Sequence, residues 1–200
     1  TWLDVAERCA PADLISISAH KFGGPKGAGA LVVRAPARVA PIVLGGGQER
    51  DRRSGTHNVP GIVAMAAALN AAHAQRAGTV ARVAALRDRL ADGLLDAVPD
   101  AVETGERADK VAGSCHLLFD GIESEALLLL LDDAGVCASA GSACASGALE
   151  PSHVLTAMGI DDRLALSSLR LSLGWTTTEA DVDLALKVVP EAVARLRGSR

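Results

Sequence analysis

Two glycine-rich segments set the folding problem for this chain. Residues 22–29 read F-G-G-P-K-G-A-G, and residues 45–58 read G-G-G-Q-E-R-D-R-R-S-G-T-H-N. Four glycines and a proline within eight residues cannot sit in a regular element, so the first segment is a loop. It follows a short β-favouring run, Leu14 to Ser18, which stops at Ala19-His20-Lys21. It precedes Ala30-Leu31-Val32-Val33, which reads as a buried strand ended by Arg34-Ala35-Pro36. After the second segment, Val59-Pro60-Gly61 opens a helix that runs through alanine-rich sequence to about Ala77, with Gly78 as its expected stop.

From Thr79 the apolar residues Val80, Val83, Leu86, Leu90, Leu94 and Val98 recur at spacings of three and four, the pattern of an amphipathic helix. Its arginines Arg82, Arg87 and Arg89 are expected on a solvated face. A strand near Cys115–Phe119, a helix over Ser124–Ala134, a strand at Val136–Ser139 and a loop over Ala140–Gly147 follow. A helix from Pro151, with proline in the favoured first turn, leads to a strand at Leu169–Leu173. A last helix starts near Thr178, where Glu179 and Asp181 put acid in the first turn. The alternation of strands and helices gives an α/β class. The expected domains are residues 1–78 and 79–200.

Composition narrows the function. Lys+Arg 20 against Asp+Glu 24 gives a formal charge of −4, which argues against coating nucleic acid or an anionic membrane. The chain is 49% hydrophobic and 22% charged, enough for a packed core and against wholesale disorder. Its longest leucine-rich apolar run, Ala126 to Leu131, falls far short of the about 20 residues a bilayer span needs. No charged-then-apolar stretch stands before the first motif in these residues, so export is not expected. Cys9, Cys115, Cys137 and Cys144 include no C-x-x-C pair, so a zinc site is not expected and a cytoplasmic location is.

Four groups of residues can carry chemistry. In Ser16-Ile17-Ser18-Ala19-His20-Lys21, a lysine at a strand end stands beside a hydroxyl and an imidazole. Burial there would lower its pKa and suit it to a Schiff base, with Ser18 and His20 holding a phosphate. The same residues would equally make a glycine turn with two surface lysines, Lys21 and Lys26. In Ser139-Ala140-Gly141-Ser142-Ala143-Cys144-Ala145-Ser146-Gly147, a cysteine lies among small residues that pack little, so the segment should move and could carry a nucleophile between places. A tight turn with an incidental cysteine is the plainer alternative. Arg50, Arg52, Arg53, Ser54, Thr56 and Asn58 form an anion-seeking cluster or a solvated charge run. Arg170 lies inside an apolar strand, a position justified by gripping a carboxylate or by an internal ion pair.

Taken together, S-I-S-A-H-K-F-G-G-P-K-G, G-G-G-Q-E-R-D-R-R-S-G-T-H-N-V-P-G, S-A-G-S-A-C-A-S-G with E-P-S-H-V-L, and S-L-R-L-S-L-G resemble the cysteine desulfurases. These are pyridoxal 5'-phosphate enzymes of the class-V aminotransferase fold. The resemblance implies the end of a large cofactor-binding domain, followed by a small α/β domain with the cysteine loop. It implies that Lys21 holds the cofactor, that Ser18 and His20 bind its phosphate, and that Thr56 reaches the phosphate of a second subunit in a homodimer. It further implies that Arg170 clamps the carboxylate of L-cysteine. Cys144 would take the sulfur as a persulfide and pass it to an acceptor or scaffold protein, in iron–sulfur assembly or tRNA thiolation. The loop around Cys144 looks like that of the housekeeping and nitrogen-fixation branch.

Two residues depart from the pattern: Asp51 stands where glycine is usual, and Trp175 follows Gly174 where a basic or polar residue is common. Family members also carry about another domain before the lysine motif, so the chain from Thr1 reads as a C-terminal portion lacking half the cofactor site. A related sulfur or selenium lyase would use Lys21 without needing Cys144. A non-catalytic piece that only dimerises or docks sulfur acceptors is a further alternative.

Overall fold

A computed structural model describes residues 2–140 and 151–198. Its contacts divide the chain into two compact units, Thr1–Gly78 and Thr79–Arg200. Helices and strands alternate along the chain as an α/β protein requires, and every strand pairing among the described residues is antiparallel.

The first unit opens with a short helix, α1 (Val5–Arg8). Asp4 caps it by accepting the amide hydrogens of Ala6 and Glu7 at 3.1 and 3.3 Å. Strands β1 (Leu14–Ser18) and β2 (Gly29–Val33) pair from Leu14↔Val33 to Ser18↔Gly29. Residue 29 must be glycine for this pairing, because a Cβ there would lie 2.6 Å from the Ile17 carbonyl oxygen. The expectation of a buried strand at 30–33 does not hold: Ala30, Leu31 and Val32 are exposed. Among the described residues β2 pairs only with β1, and a two-stranded ribbon cannot bury its own faces. A second small hairpin joins β3 (Gly47–Gln48) to β4 (Arg53–Ser54).

Helix α2 runs from Val59 to Ala97 without a break. Gly78 therefore does not stop it. Glycine ends a helix by adopting a left-handed conformation, which Gly78 does not do; within a helix it costs only about 1 kcal/mol relative to alanine. Asn58 starts α2, its side-chain oxygen accepting the Gly61 amide hydrogen at 3.1 Å.

The second unit holds the core. Its sheet has the order β5-β6-β7, from β5 (Ala101–Glu103), β6 (Ser114–Phe119) and β7 (Ser168–Ser172). Val83, Leu90, Leu94, Leu117, Leu118, Phe119, Leu127, Leu131 and Leu169 are buried, drawn from α2, β6, α3 (Ser124–Asp133) and β7. Each such side chain contributes about 1.5–3 kcal/mol of burial. Two short helices, α4 (His153–Ala157) and α5 (Asp162–Ala165), pack Leu155 and Ala165 on Leu118. The chain closes with α6 (Glu179–Gly198), where Thr178 and Asp181 exchange hydrogen bonds as a capping box.

One expectation fails here and another holds only in part. Residues 136–139 do not form a strand: Gly135 ends α3 at φ 78°, and only Ser139 reaches β7, as an isolated bridge to Arg170. The arginines of α2 form a solvated face only in part: Arg82 and Arg89 are exposed, but Arg87 is not. Arg87 is 4% exposed and donates from Nε to Asp88 at 2.6 Å. Arg82 donates to the carbonyls of Trp175 and Thr177, and Arg89 pairs with Asp183, so both tie α2 to the start of α6.

Candidate active site

The turn after β1 gathers Ser18, His20 and Lys21. Residues Ala19–Phe22 form one turn of 3₁₀ helix, and Ala19 is fully buried at its base. The Ala19 amide donates to the Ala28 carbonyl at 3.0 Å, and the Gly24 amide donates back to the Ala19 carbonyl at 2.9 Å. A Cβ at residue 24 would lie 2.9 Å from that of Ala19, so glycine lets the loop fold tightly under the turn. With Ala19 anchored, Ser18, His20 and Lys21 are all exposed. The Ser18 hydroxyl makes no capping bond to the turn. The burial expected at Lys21 is thus not found within this unit. Its backbone is fixed by Ala19 while its side chain stands in the open.

Thr56 lies beyond the β3–β4 hairpin and lines a concavity of about 550 Å³ with Gly46, Gln48, Gly55, His57 and Val59. The hairpin turns through three consecutive left-handed residues, Glu49, Arg50 and Asp51, at φ 51°, 58° and 62°. Left-handed backbone costs a non-glycine residue about 1–2 kcal/mol, which explains why glycine suits position 51. The six-residue anion cluster read from the sequence is smaller in the structure. Arg53 donates to the carbonyls of Gly55 and Thr56 at 2.6 and 3.1 Å, and so braces the loop instead of facing a ligand. Ser54 is buried and Asn58 caps α2, leaving Arg50, Arg52 and Thr56 exposed.

In the second unit, Arg170 sits mid-strand in β7, between buried Leu169 and Leu171. Its backbone exchanges two hydrogen bonds with Ser139, at 2.7 and 3.1 Å. Its guanidinium forms no ion pair with a carboxylate among the described residues. Cys144 lies outside the described residues. Among the described residues, no group of three or more His, Cys, Asp or Glu side chains could hold a metal ion, and no helix is long and apolar enough to cross a membrane.

Sequence reading missed His116, the cross-strand partner of Arg170. A histidine in the apolar run Cys115-His116-Leu117-Leu118-Phe119 is the same anomaly as an arginine in β7, and could have been found the same way.

An α/β chain with a strand-end lysine turn and a lone arginine in an apolar strand fits the class of proteins that the motifs suggest. The family model for aminotransferase class-V matches residues 4–185. The chain is 50% identical over 184 residues to an IscS-like cysteine desulfurase of Mycobacterium tuberculosis, covering 92% of this chain and 47% of the relative. It is 49% identical over 185 residues to cysteine desulfurase IscS of Methanosarcina thermophila, covering 92% and 46%. The solved structure of a NifS-like protein superposes with a TM-score of 0.81 at 36% identity, over 92% of this chain and 47% of that one. The chain belongs to the aminotransferase class-V family. It spans about half the length of the curated relatives it matches.

Proposed function

We propose that this chain carries the lysine turn and the small domain of a pyridoxal 5'-phosphate-dependent cysteine desulfurase. The observation that carries the reading is the turn at Ser18–Lys21, which holds an amine, an imidazole and an uncapped hydroxyl on one anchored backbone. Those groups suit the cofactor: the amine can form a Schiff base with its aldehyde, and the hydroxyl and imidazole can hold its phosphate. When bound, the cofactor supplies a ring that takes up the electrons freed when a bond at the substrate Cα breaks. The relatives named above as cysteine desulfurases support the substrate.

Lys21 holds the cofactor until substrate arrives, and its Nζ then moves the proton at the substrate Cα. Ser18 and His20 hold the phosphate. Arg170 orients L-cysteine through its carboxylate, as a planar fork does best. Cys144 Sγ attacks the substrate sulfur as a thiolate. The new S–S bond makes a persulfide, the C–S electron pair stays with Cβ, and a proton delivered to Cβ together with return of the proton to Cα leaves L-alanine. The persulfide sulfur then passes to an acceptor or scaffold protein, as in iron–sulfur assembly or tRNA thiolation. Thr56, exposed just beyond the β3–β4 hairpin, reaches the cofactor phosphate of a second copy, giving a homodimer with shared sites. Residues 1–78 are the end of the large domain and 79–200 the small domain.

Borohydride reduction of the full-length, cofactor-loaded protein, followed by peptide mass spectrometry, tests the assignment. The expected adduct is on Lys21, and sulfur from labelled L-cysteine is expected on Cys144. Sulfur transfer that persists in Cys144→Ala would overturn the mechanism.

A further inference from the structure

One row of side chains crosses the sheet of the second unit at Arg170. Arg170 turns both of its backbone hydrogen-bonding groups toward Ser139. Its other edge therefore makes a non-hydrogen-bonded pair with His116, the pairing in which antiparallel side chains come closest, with Cα atoms about 4.5 Å apart. His116 turns its own carbonyl the other way, accepting the Thr104 amide hydrogen at 3.1 Å. Directly paired residues share a face, so Thr104, His116, Arg170 and Ser139 stand side by side.

The ring of His116 is fixed within this row. Its Nδ1 lies 2.8 Å from Oγ1 of the buried Thr104. Burial first, then the positive charges of Arg170 and Lys110, hold its pKa down to about 4, so the ring is neutral near pH 7. Lys110 is itself bound to Glu103 at 2.8 Å. The described neighbours of Arg170 along its strand and diagonally on β6 are Ser168, Ser172, Ser114 and Leu118, none of them charged. Arg170 therefore has a held, uncharged ring on one side and, among the described residues, no carboxylate beside it.

We propose that His116, pinned by Thr104, is a positioning residue that holds the Arg170 guanidinium ready for the α-carboxylate of the amino-acid substrate. The inference rests on the reading of Arg170 as the carboxylate clamp. A long, flexible side chain binds more weakly if it must be ordered on each encounter, and a fixed neighbour removes that cost beforehand. Aspartate or glutamate at residue 116 would also hold the guanidinium, but would occupy the fork that the substrate needs. A neutral imidazole that donates its Nδ1 hydrogen to Thr104 leaves Nε2 as an acceptor and adds no competing charge.

The test uses the full-length, cofactor-loaded protein. L-alanine binding is followed by the change in cofactor absorbance, with ethylamine, which lacks the carboxylate, as the control. His116→Ala is expected to weaken L-alanine about tenfold and to raise KM for L-cysteine with little change in kcat, the pattern of lost uniform binding. Ethylamine binding is unchanged, His116→Asn restores much of the loss, and His116→Ala adds nothing in an Arg170→Ala background. If Arg170→Ala weakens L-alanine but His116→Ala does not, or if the two losses add, the positioning role is wrong. If Arg170→Ala itself leaves L-alanine binding unchanged, the clamp reading fails and the inference with it. Nitrogen-15 NMR of the unmutated protein provides a readout independent of folding: His116 should carry its proton on Nδ1, and a proton on Nε2 overturns the proposal.

Discussion

Replacing Glu103 with glutamine should remove the charge at the centre of the second unit's ion network. Glu103 Oε1 accepts from Lys110 Nζ at 2.8 Å, and Oε2 accepts from Arg107 Nε at 2.8 Å. The Glu103 and Lys110 side chains are 11% and 12% exposed. Arg107 is 34% exposed and has a second close carboxylate, Asp92 at 2.6 Å. Without the Glu103 charge, Arg107 keeps a partner, but Lys110 is left half-buried with no carboxylate among the described residues. Breaking one side of a buried ion pair costs about 3–5 kcal/mol, and the solvent still reaching this cluster places Glu103→Gln near the low end, about 3 kcal/mol. For a protein of this size or larger, that lowers Tm by roughly 6–12 °C. Urea unfolding at pH 7 measures it as a lower midpoint at an unchanged slope. Replacing both Glu103 and Lys110 with methionine should cost much less, since neither charge is then stranded. The pH dependence has a definite sign. Burial alone would raise the Glu103 pKa, but hydrogen bonds from Lys110 and Arg107 outweigh it and hold the carboxyl below its ordinary 4.5. The stability it contributes is present above that value and is lost as pH falls through the folded pKa. The unmutated protein should therefore show an acid limb below about pH 4.5 that Glu103→Gln lacks. A loss under about 1 kcal/mol, or an unchanged acid limb, would refute the account.

His116 should produce a separate limb at higher pH. Its pKa falls from 6.5 to about 4 on folding, so the unfolded chain takes the proton first and stability declines as pH drops from 6.5 toward 4. The total is about 2 kcal/mol once the partial exposure of the ring is discounted, and His116→Gln should be flat across that window in urea unfolding. Asp51→Gly should stabilise the chain by about 1 kcal/mol, relief of about 1–2 kcal/mol of left-handed strain less the greater unfolded entropy of glycine. A lowered urea midpoint for Asp51→Gly would mean that contacts of the aspartate side chain outweigh its backbone strain.

The sequence revealed elements wherever a local pattern and the tertiary packing agreed. Strand β1 begins and ends where its β-favouring run does, and the α2 positions from Val83 to Leu94, with Val98 just past its end, bury the face that their spacing predicts. Reading failed where a residue's effect depends on partners distant in sequence. Gly78 looks like a stop, yet nothing in its surroundings requires a left-handed turn, so the helix continues. Arg82 and Arg89 are surface charges, as expected, but the carbonyls and the carboxylate they bind lie more than ninety positions away. No periodicity within α2 could have shown this.

The same distinction separates the two halves of the candidate site. The lysine turn is local: Ala19, Gly24 and Ala28 fix its backbone within ten residues, so the motif and its geometry are legible together. The surroundings of Arg170 are not local. Its neighbours come from residues 104, 116 and 139, on segments whose sequences carry no shared pattern, and only sheet register brings them together. What the sequence does show is the cost: a charged residue at 170 and an imidazole at 116, each in a run of buried apolar residues. Two such polar residues in apolar strands of one domain are best read first as partners across a sheet, because pairing lowers the cost of burying both.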